Sequence, residues 1–173
     1  MSNGFPVVDD VVAFITKASQ VYGRHKDDEF NQLRWAECCE IESPIEQYFL
    51  VALHLVSEIN LVCLSVIREH FNDDNDDLLV IPQWKVGQYK VDFAIRQHPK
   101  DRVVCVELDG HEFHDRDEHQ RRYEKTRDRF LTTKGYSILH FTGAEVVKDP
   151  CAVALEAFNV ATGLAEVSIH PFD

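Results

Sequence analysis

Basic charge is what this sequence has least of for its size: 18 Lys and Arg stand against 30 Asp and Glu, a formal charge of −12. That balance excludes a protein that coats nucleic acid through uniform positive charge, because phosphate binding draws on clustered Lys and Arg. Long apolar runs are also missing: none reaches the roughly 20 residues of a membrane span. The Met1 segment carries Asp9 and Asp10 where a signal peptide has a basic start. The expectation is a cytoplasmic protein with no membrane partner. Disulfide and zinc signatures are absent as well. The five cysteines, Cys38, Cys39, Cys63, Cys105 and Cys151, are odd in number and include no C-x-x-C, which predicts reduced thiols in the core. No repeat or low-complexity tract divides the chain, so 173 residues with 45% hydrophobic composition predict a single domain, 1–173.

The charge is unevenly spread. The acidic excess sits in the first 80 residues, through Asp27-Asp28-Glu29, Glu37, Glu40, Glu42 and Asp73–Asp77, whereas basic residues gather in Arg116–Lys134. One region can face phosphates, and the acidic half offers a surface to a protein partner.

Val103–His114, VVCVELDGHEFH, organises the rest. Val103, Val104, Val106 and Leu108 form a β-rich apolar run, and alternation puts Cys105, Glu107 and Asp109 on the opposite face. Gln88–Ile95 reads as a second strand with Lys90, Asp92 and Ala94 on one face. Polar residues Gln97–Arg102 close a hairpin between the two, which lets Asp92 and Glu107 meet. Anions held together in a partly buried site repel one another and are costly to desolvate. A hard cation such as Mg²⁺ or Mn²⁺ between them keeps both ionised.

Around this pair, apolar spacing predicts helices over Val7–Tyr22 and Phe30–Glu40, a helical N-terminal extension spanning 1–42. Ser43-Pro44-Ile45-Glu46 marks a helix start, with Ser as N-cap and Pro in the first turn. Ile45 to about Phe71, apolar on more than one face, predicts a long buried helix with a break at Asn60. Glu46 has two readings, a capping glutamate or a catalytic acid aimed from a helix end at the sheet. Asn72–Asp77 lacks the glycine and the terminal acid of a calcium loop and reads as a solvated turn. Leu78–Trp84 is a strand, joined through the turn Lys85–Gln88 to the Asp92 strand. Arg116–Lys134 is a helix capped by Gly135, with Gln120, Glu124, Arg127 and Leu131 near one stripe and Arg121, Arg122, Lys125 and Arg129 on neighbouring faces. Tyr136–Phe141 is a final strand and Pro150–Thr162 a last amphipathic helix.

The order helix, three strands, helix, strand, helix, with acids at Glu46, Asp92 and Glu107, resembles the PD-(D/E)XK nucleases. Val106-Glu-Leu-Asp-Gly-His-Glu-Phe-His114, followed by Glu124-Lys-Thr-Arg127, Leu131 and Gly135–Phe141, is similar to a small branch of that superfamily grouped with very-short-patch-repair endonucleases. The likeness covers Ser43 to Phe158. It implies an α/β restriction-endonuclease-like core over 43–158, a mixed β-sheet flanked by helices (αβββαβ) with an extra N-terminal helix and a C-terminal helix. It further implies Mg²⁺-dependent hydrolysis of DNA phosphodiester bonds. Asp92 and Glu107 would be metal ligands, Glu46 the helix-borne acid, and Gln120 and Arg127 supports from the following helix.

Two positions depart from the family pattern. Asp109 stands where many relatives carry the catalytic lysine, and His140 where this branch commonly has arginine. The lysine's work passes to Lys90, to His114, which matches a histidine after the Asp-Gly turn in the short-patch-repair enzymes, or to a second metal. Each residue has a plainer reading: Asp92 paired with Lys90, Glu107 paired with Arg127, and Arg121, Arg122, Lys125 and Arg129 as a solvated helix face in place of a DNA-binding one. His111, His114 and His119 with Glu112 offer a zinc site instead. The rival to the enzyme is a catalytically inactive nuclease-fold module that binds DNA or a protein partner, and a homodimer is open because a double-strand cut by one-site domains usually needs two.

Overall fold

The structure, a computed structural model, describes residues 41–67, 71, 78–97, 102–110 and 118–164. The two predicted N-terminal helices, the predicted Asn72–Asp77 turn, and Cys38, Cys39, His111, Glu112 and His114 lie outside the described residues.

Helix α1 spans Pro44–Ile59. Its start follows the sequence signal, with the Gln47 N–H donating to the Ser43 carbonyl at 3.0 Å. Phe49 to Val56 are all buried, because α1 is wedged between the sheet and a second helix. The expected extension to Phe71 is corrected: α1 ends at the Asn60 break. Asn60 Nδ2 donates back to the Val56 carbonyl at 2.8 Å, Leu61 turns left-handed at φ 57°, and the Val62 N–H reaches the Ser57 carbonyl at 2.8 Å. That is a Schellman closure, which satisfies carbonyls an abrupt helix end would orphan. The apolar residues beyond it form strand β1, Leu64–Val66.

Strands β2 (Leu78–Val86), β3 (Tyr89–Gln97), β4 (Val103–Asp109) and β5 (Ser137–Thr142) complete a five-stranded sheet in the order β1-β2-β3-β4-β5. The β2–β3 and β3–β4 pairs are antiparallel and the two outer pairs, β1–β2 and β4–β5, are parallel. The expected four-residue turn narrows to Gly87-Gln88, with Gly87 at φ 61°. Helix α2, Glu118–Thr133, links β4 to β5 and closes through Gly135, whose φ is 84°. Helix α3, Gly143–Lys148, was not expected; Thr142 and Glu145 form its capping box. Helix α4, Pro150–Thr162, has the expected bounds, with Asp149 as N-cap. The result is the expected mixed α/β sheet flanked by helices.

Two apolar layers hold it. On one face α1 and α4 pack against Val80, Phe93, Ile95, Val104, Val106 and Leu108, with the Phe49 and Phe93 rings 5.0 Å apart. Burying such a ring contributes about 2–3 kcal/mol of transfer free energy. On the other face Leu131 of α2 covers Ile81, Val91, Ala94, Val103 and Cys105. Cys105 and Cys151 are buried thiols as expected, but Cys63, just past the end of α1, is exposed and not a core residue.

Strict alternation along β3 is also corrected. Val91 and Ala94 belong to the same layer, although alternation sends them to opposite faces. The inversion falls opposite Gln83, which sits at φ 51° inside β2. Register runs unbroken through Pro82↔Phe93 and Trp84↔Val91, but Gln83 and Asp92 between them do not pair. From there to the hairpin tip Tyr89 and Val91 turn toward α2, and Lys90 leaves the face of Ala94.

Candidate active site

The same irregularity frees Asp92. Register between β3 and β4 holds from Arg96↔Val103 to Phe93↔Val106, and the next pair would be Asp92 and Glu107. The ladder stops there. The Leu108 N–H, beyond the last β3–β4 pair, donates to Asp92 Oδ2 at 2.7 Å. Asp92 and Glu107 are thus neighbours, as the hairpin predicted, and Asp109 at the end of β4 adds its charge to both.

Glu107 is 7% exposed. Its Oε2 lies 3.0 Å from Arg127 Nη1, and its Oε1 is buried with no hydrogen-bond partner among the described residues. Arg127 is the buried residue of α2 that, with Leu131, turns toward the sheet, as the stripe read from the sequence required. Its Nε lies 3.5 Å from Asp128 Oδ1, beyond hydrogen-bonding geometry. Asp128 Oδ2 lies 3.2 Å from His140 Nε2. Register places His140 directly beside Glu107 on β5, so polar side chains run in a line from Glu107 through Arg127 and Asp128 to His140.

Glu46 enters from the first turn of α1. Gln83 Nε2 donates to its Oε2 at 2.6 Å, and it also bonds the Ser43 side chain. This glutamate therefore touches Ser43 at the helix start and reaches the sheet through Gln83. Burial, then the charge of Asp92, push its carboxyl up to about 7. Burial, then Asp92, push Glu107 up to about 8 against the pull of Arg127. Burial also raises Asp92, opposed first by the Leu108 N–H and then by Arg127. Acids kept protonated toward neutrality by burial and by one another are groups able to give and take protons there.

The remaining expected residues are dispersed. Lys90 is exposed and makes no ion pair with Asp92; its charge favours ionised Glu46 and Asp92 from a distance. Gln120 lies exposed in the first turn of α2, and Arg121, Arg122, Lys125 and Arg129 are exposed along that helix, Arg129 bonded to Thr126 Oγ1 at 3.1 Å. His119 is exposed. Among the described residues no group of three or more His, Cys, Asp or Glu side chains is disposed to hold a metal ion. The residue that sequence reasoning missed is Gln83. Its signal was weak but present, since a proline inside a strand, here Pro82, marks an edge or an irregularity.

No helix among the described residues is long and apolar enough to cross a membrane. Comparison with curated proteins and with solved structures returns no match. A family model, REase_MTES_1575, matches residues 71–159, which hold strands β2 to β5, Asp92, Glu107 and Arg127. That match spans just over half of the sequence, and the chain belongs to this restriction endonuclease-like family.

Proposed function

We propose that the chain is a metal-dependent DNA endonuclease that hydrolyses phosphodiester bonds, with Asp92 and Glu107 as the ligands of Mg²⁺ or Mn²⁺. The observation that carries this reading is the buried acid pair itself: two neighbouring carboxylates pushed toward protonation by burial, Glu107 further by the charge of Asp92 and Asp92 further by that of Asp109, with Glu107 Oε1 unpartnered among the described residues. A hard divalent cation fits this donor set. Mg²⁺ characteristically takes one or two carboxylates and leaves its other positions to water and substrate phosphates, so a three-ligand protein cage is not required. Membership of a restriction endonuclease-like family supports the nuclease class, and the sequence likeness to very-short-patch-repair endonucleases supports DNA as substrate.

When bound, the cation polarises the scissile phosphate and acidifies water. The chain's own residues do the rest. Glu46, poised near neutrality, exchanges a proton with the attacking water or the leaving oxygen. Arg127 holds Glu107 and neutralises charge that builds on the phosphate. Asp109 replaces the lysine of the family pattern and leaves Lys90 or His114 to orient the nucleophile. Exposed Arg121, Arg122, Lys125 and Arg129 contact the DNA backbone, and the acidic first half faces a protein partner or a second copy.

The test is cleavage of supercoiled plasmid and of short single-stranded and branched DNA at low salt, with Mg²⁺, Mn²⁺ or EDTA. Native protein is compared with Asp92→Ala and Glu107→Ala. Metal-dependent cutting that disappears in both variants is the expected result. Folded native protein that cuts none of these substrates in either metal would refute the proposal. One observation favours the second reading, an inactive nuclease-fold module: Arg127 already neutralises Glu107, as a metal would. That module would bind DNA without cutting it.

A further inference from the structure

Gln83 occupies a backbone conformation that its residue type does not favour. At φ 51° it lies in the left-handed region, inside a strand, where an L side chain costs free energy that glycine avoids. Strain of this kind persists where surrounding structure over-determines it, and it is a pointer to function when a specific contact depends on it. Here two things depend on it. The residue interrupts the β2–β3 ladder opposite Asp92, which leaves Asp92 free to turn toward β4. Its side-chain amide bonds Glu46 Oε2 at 2.6 Å across 37 residues of sequence.

We infer that Gln83 is a positioning residue, held in the left-handed conformation so that its amide fixes the Glu46 carboxylate toward Asp92. A regular β conformation at this position would project the side chain perpendicular to the sheet and restore the Gln83–Asp92 pair. The amide suits the role chemically: it donates to one carboxylate oxygen and carries no charge to cancel the acid. The inference rests on the nuclease reading for its catalytic consequence, but the contact and the backbone conformation are testable without activity.

The experiment uses Gln83→Gly and Gln83→Ala, each in the native chain and in a Glu46→Ala background, with thermal unfolding and cleavage rates at saturating DNA. Glycine ordinarily weakens a strand interior relative to alanine; at a left-handed site the order inverts. Gln83→Gly is therefore expected to unfold above Gln83→Ala by about 2–4 °C in both backgrounds. Both variants are expected to lose at least about tenfold in kcat with KM nearly unchanged, and to lose nothing further when Glu46 is already alanine. A Gln83→Ala protein more stable than Gln83→Gly, a native kcat in either variant, or losses that multiply with Glu46→Ala would each overturn the inference. If the native chain cuts no DNA, the nuclease reading fails by itself and stability decides for Gln83. The thermal cost of Gln83→Ala must then shrink when Glu46 is absent, and an equal cost in both backgrounds sinks the inference.

Discussion

Arg127 and Glu107 form a buried ion pair between α2 and β4, Nη1 to Oε2 at 3.0 Å, with side chains 10% and 9% exposed. Such a pair gains little over an apolar replacement but is costly to break on one side, because the partner is left buried and uncompensated. Arg127→Met should therefore lose about 2–4 kcal/mol in urea unfolding above neutral pH, and the double change Glu107→Gln with Arg127→Met should recover much of it. Additive losses would show that the two side chains do not act as a pair.

The acid cluster predicts an unusual slope of stability with pH. Carboxyls in the unfolded chain titrate near pH 4, whereas folded Glu46 and Glu107 titrate at about 7 and about 8. Between those limits the folded state binds more protons than the unfolded state, so stability falls as pH rises and levels off above the folded values. Without divalent ions the Tm should drop by something on the order of 5 °C between about pH 5 and pH 8.5. Asp92→Asn, which removes the charge acting on both glutamates, should flatten that slope. Excess Mg²⁺ at the alkaline end should raise the native Tm and leave Asp92→Asn unmoved; a Tm that climbs with pH in metal-free buffer contradicts the cluster's electrostatics.

Exposed Arg121, Arg122, Lys125 and Arg129 share one helix with the buried Arg127. Their replacement by alanine should leave the Tm near native while weakening DNA binding. For every phosphate that no longer meets a cation, the plot of log affinity against log salt should flatten by about 0.7–0.9. Unchanged affinity and slope would assign DNA binding to another surface.

Gly87 at the β2–β3 tip needs its lack of a side chain twice over. Its φ is 61°, and a Cβ there would stand 3.1 Å from Phe130 Cζ, a ring that also packs on Tyr89 at 5.2 Å. Gly87→Ala should cost about 1–2 kcal/mol. Because Phe130 lies one turn from Arg127, it should also disturb the Glu107 pair, which a shifted pH profile of unfolding would register.

Much of the architecture was legible because periodicity and punctuation agreed. Pro150–Thr162 between Asp149 and Gly163 carried both an apolar pattern and a stop signal, and α2 ahead of Gly135 carried helix-forming composition and a stop signal. Leu61 to Val66 did not: Asn60 marks a break, but the apolar stretch after it keeps a helical pattern and gives no sign of a strand, so β1 falls inside the predicted helix. The short α3 had a visible capping box in Thr142 and Glu145 but too few residues for a period. In the candidate site, the meeting of Asp92 with Glu107 and the inward turn of Arg127 were legible because strand pairing and helix spacing follow from local sequence. Gln83 was missed and Lys90 misplaced for one reason, since Pro82 marks an irregular strand but does not announce a left-handed glutamine that inverts the faces of a hairpin.

The strands lie side by side in the order in which they occur in the chain. The antiparallel meander β2–β3–β4 closes short loops, whereas the parallel edges β1 and β5 wait on longer connections, and short closures form first. The expected folding sequence brings Asp92 and Glu107 together in the earliest part of the sheet, while both are still hydrated. Their burial comes later, as α2 delivers Arg127 and α1 delivers Glu46. Pulse-labelled hydrogen exchange should show β2 to β4 amides protected before those of β5, with simultaneous protection ruling the sequence out. Assembly of the acid pair and its withdrawal from water are then separate events, and the charge repulsion is met only at the second.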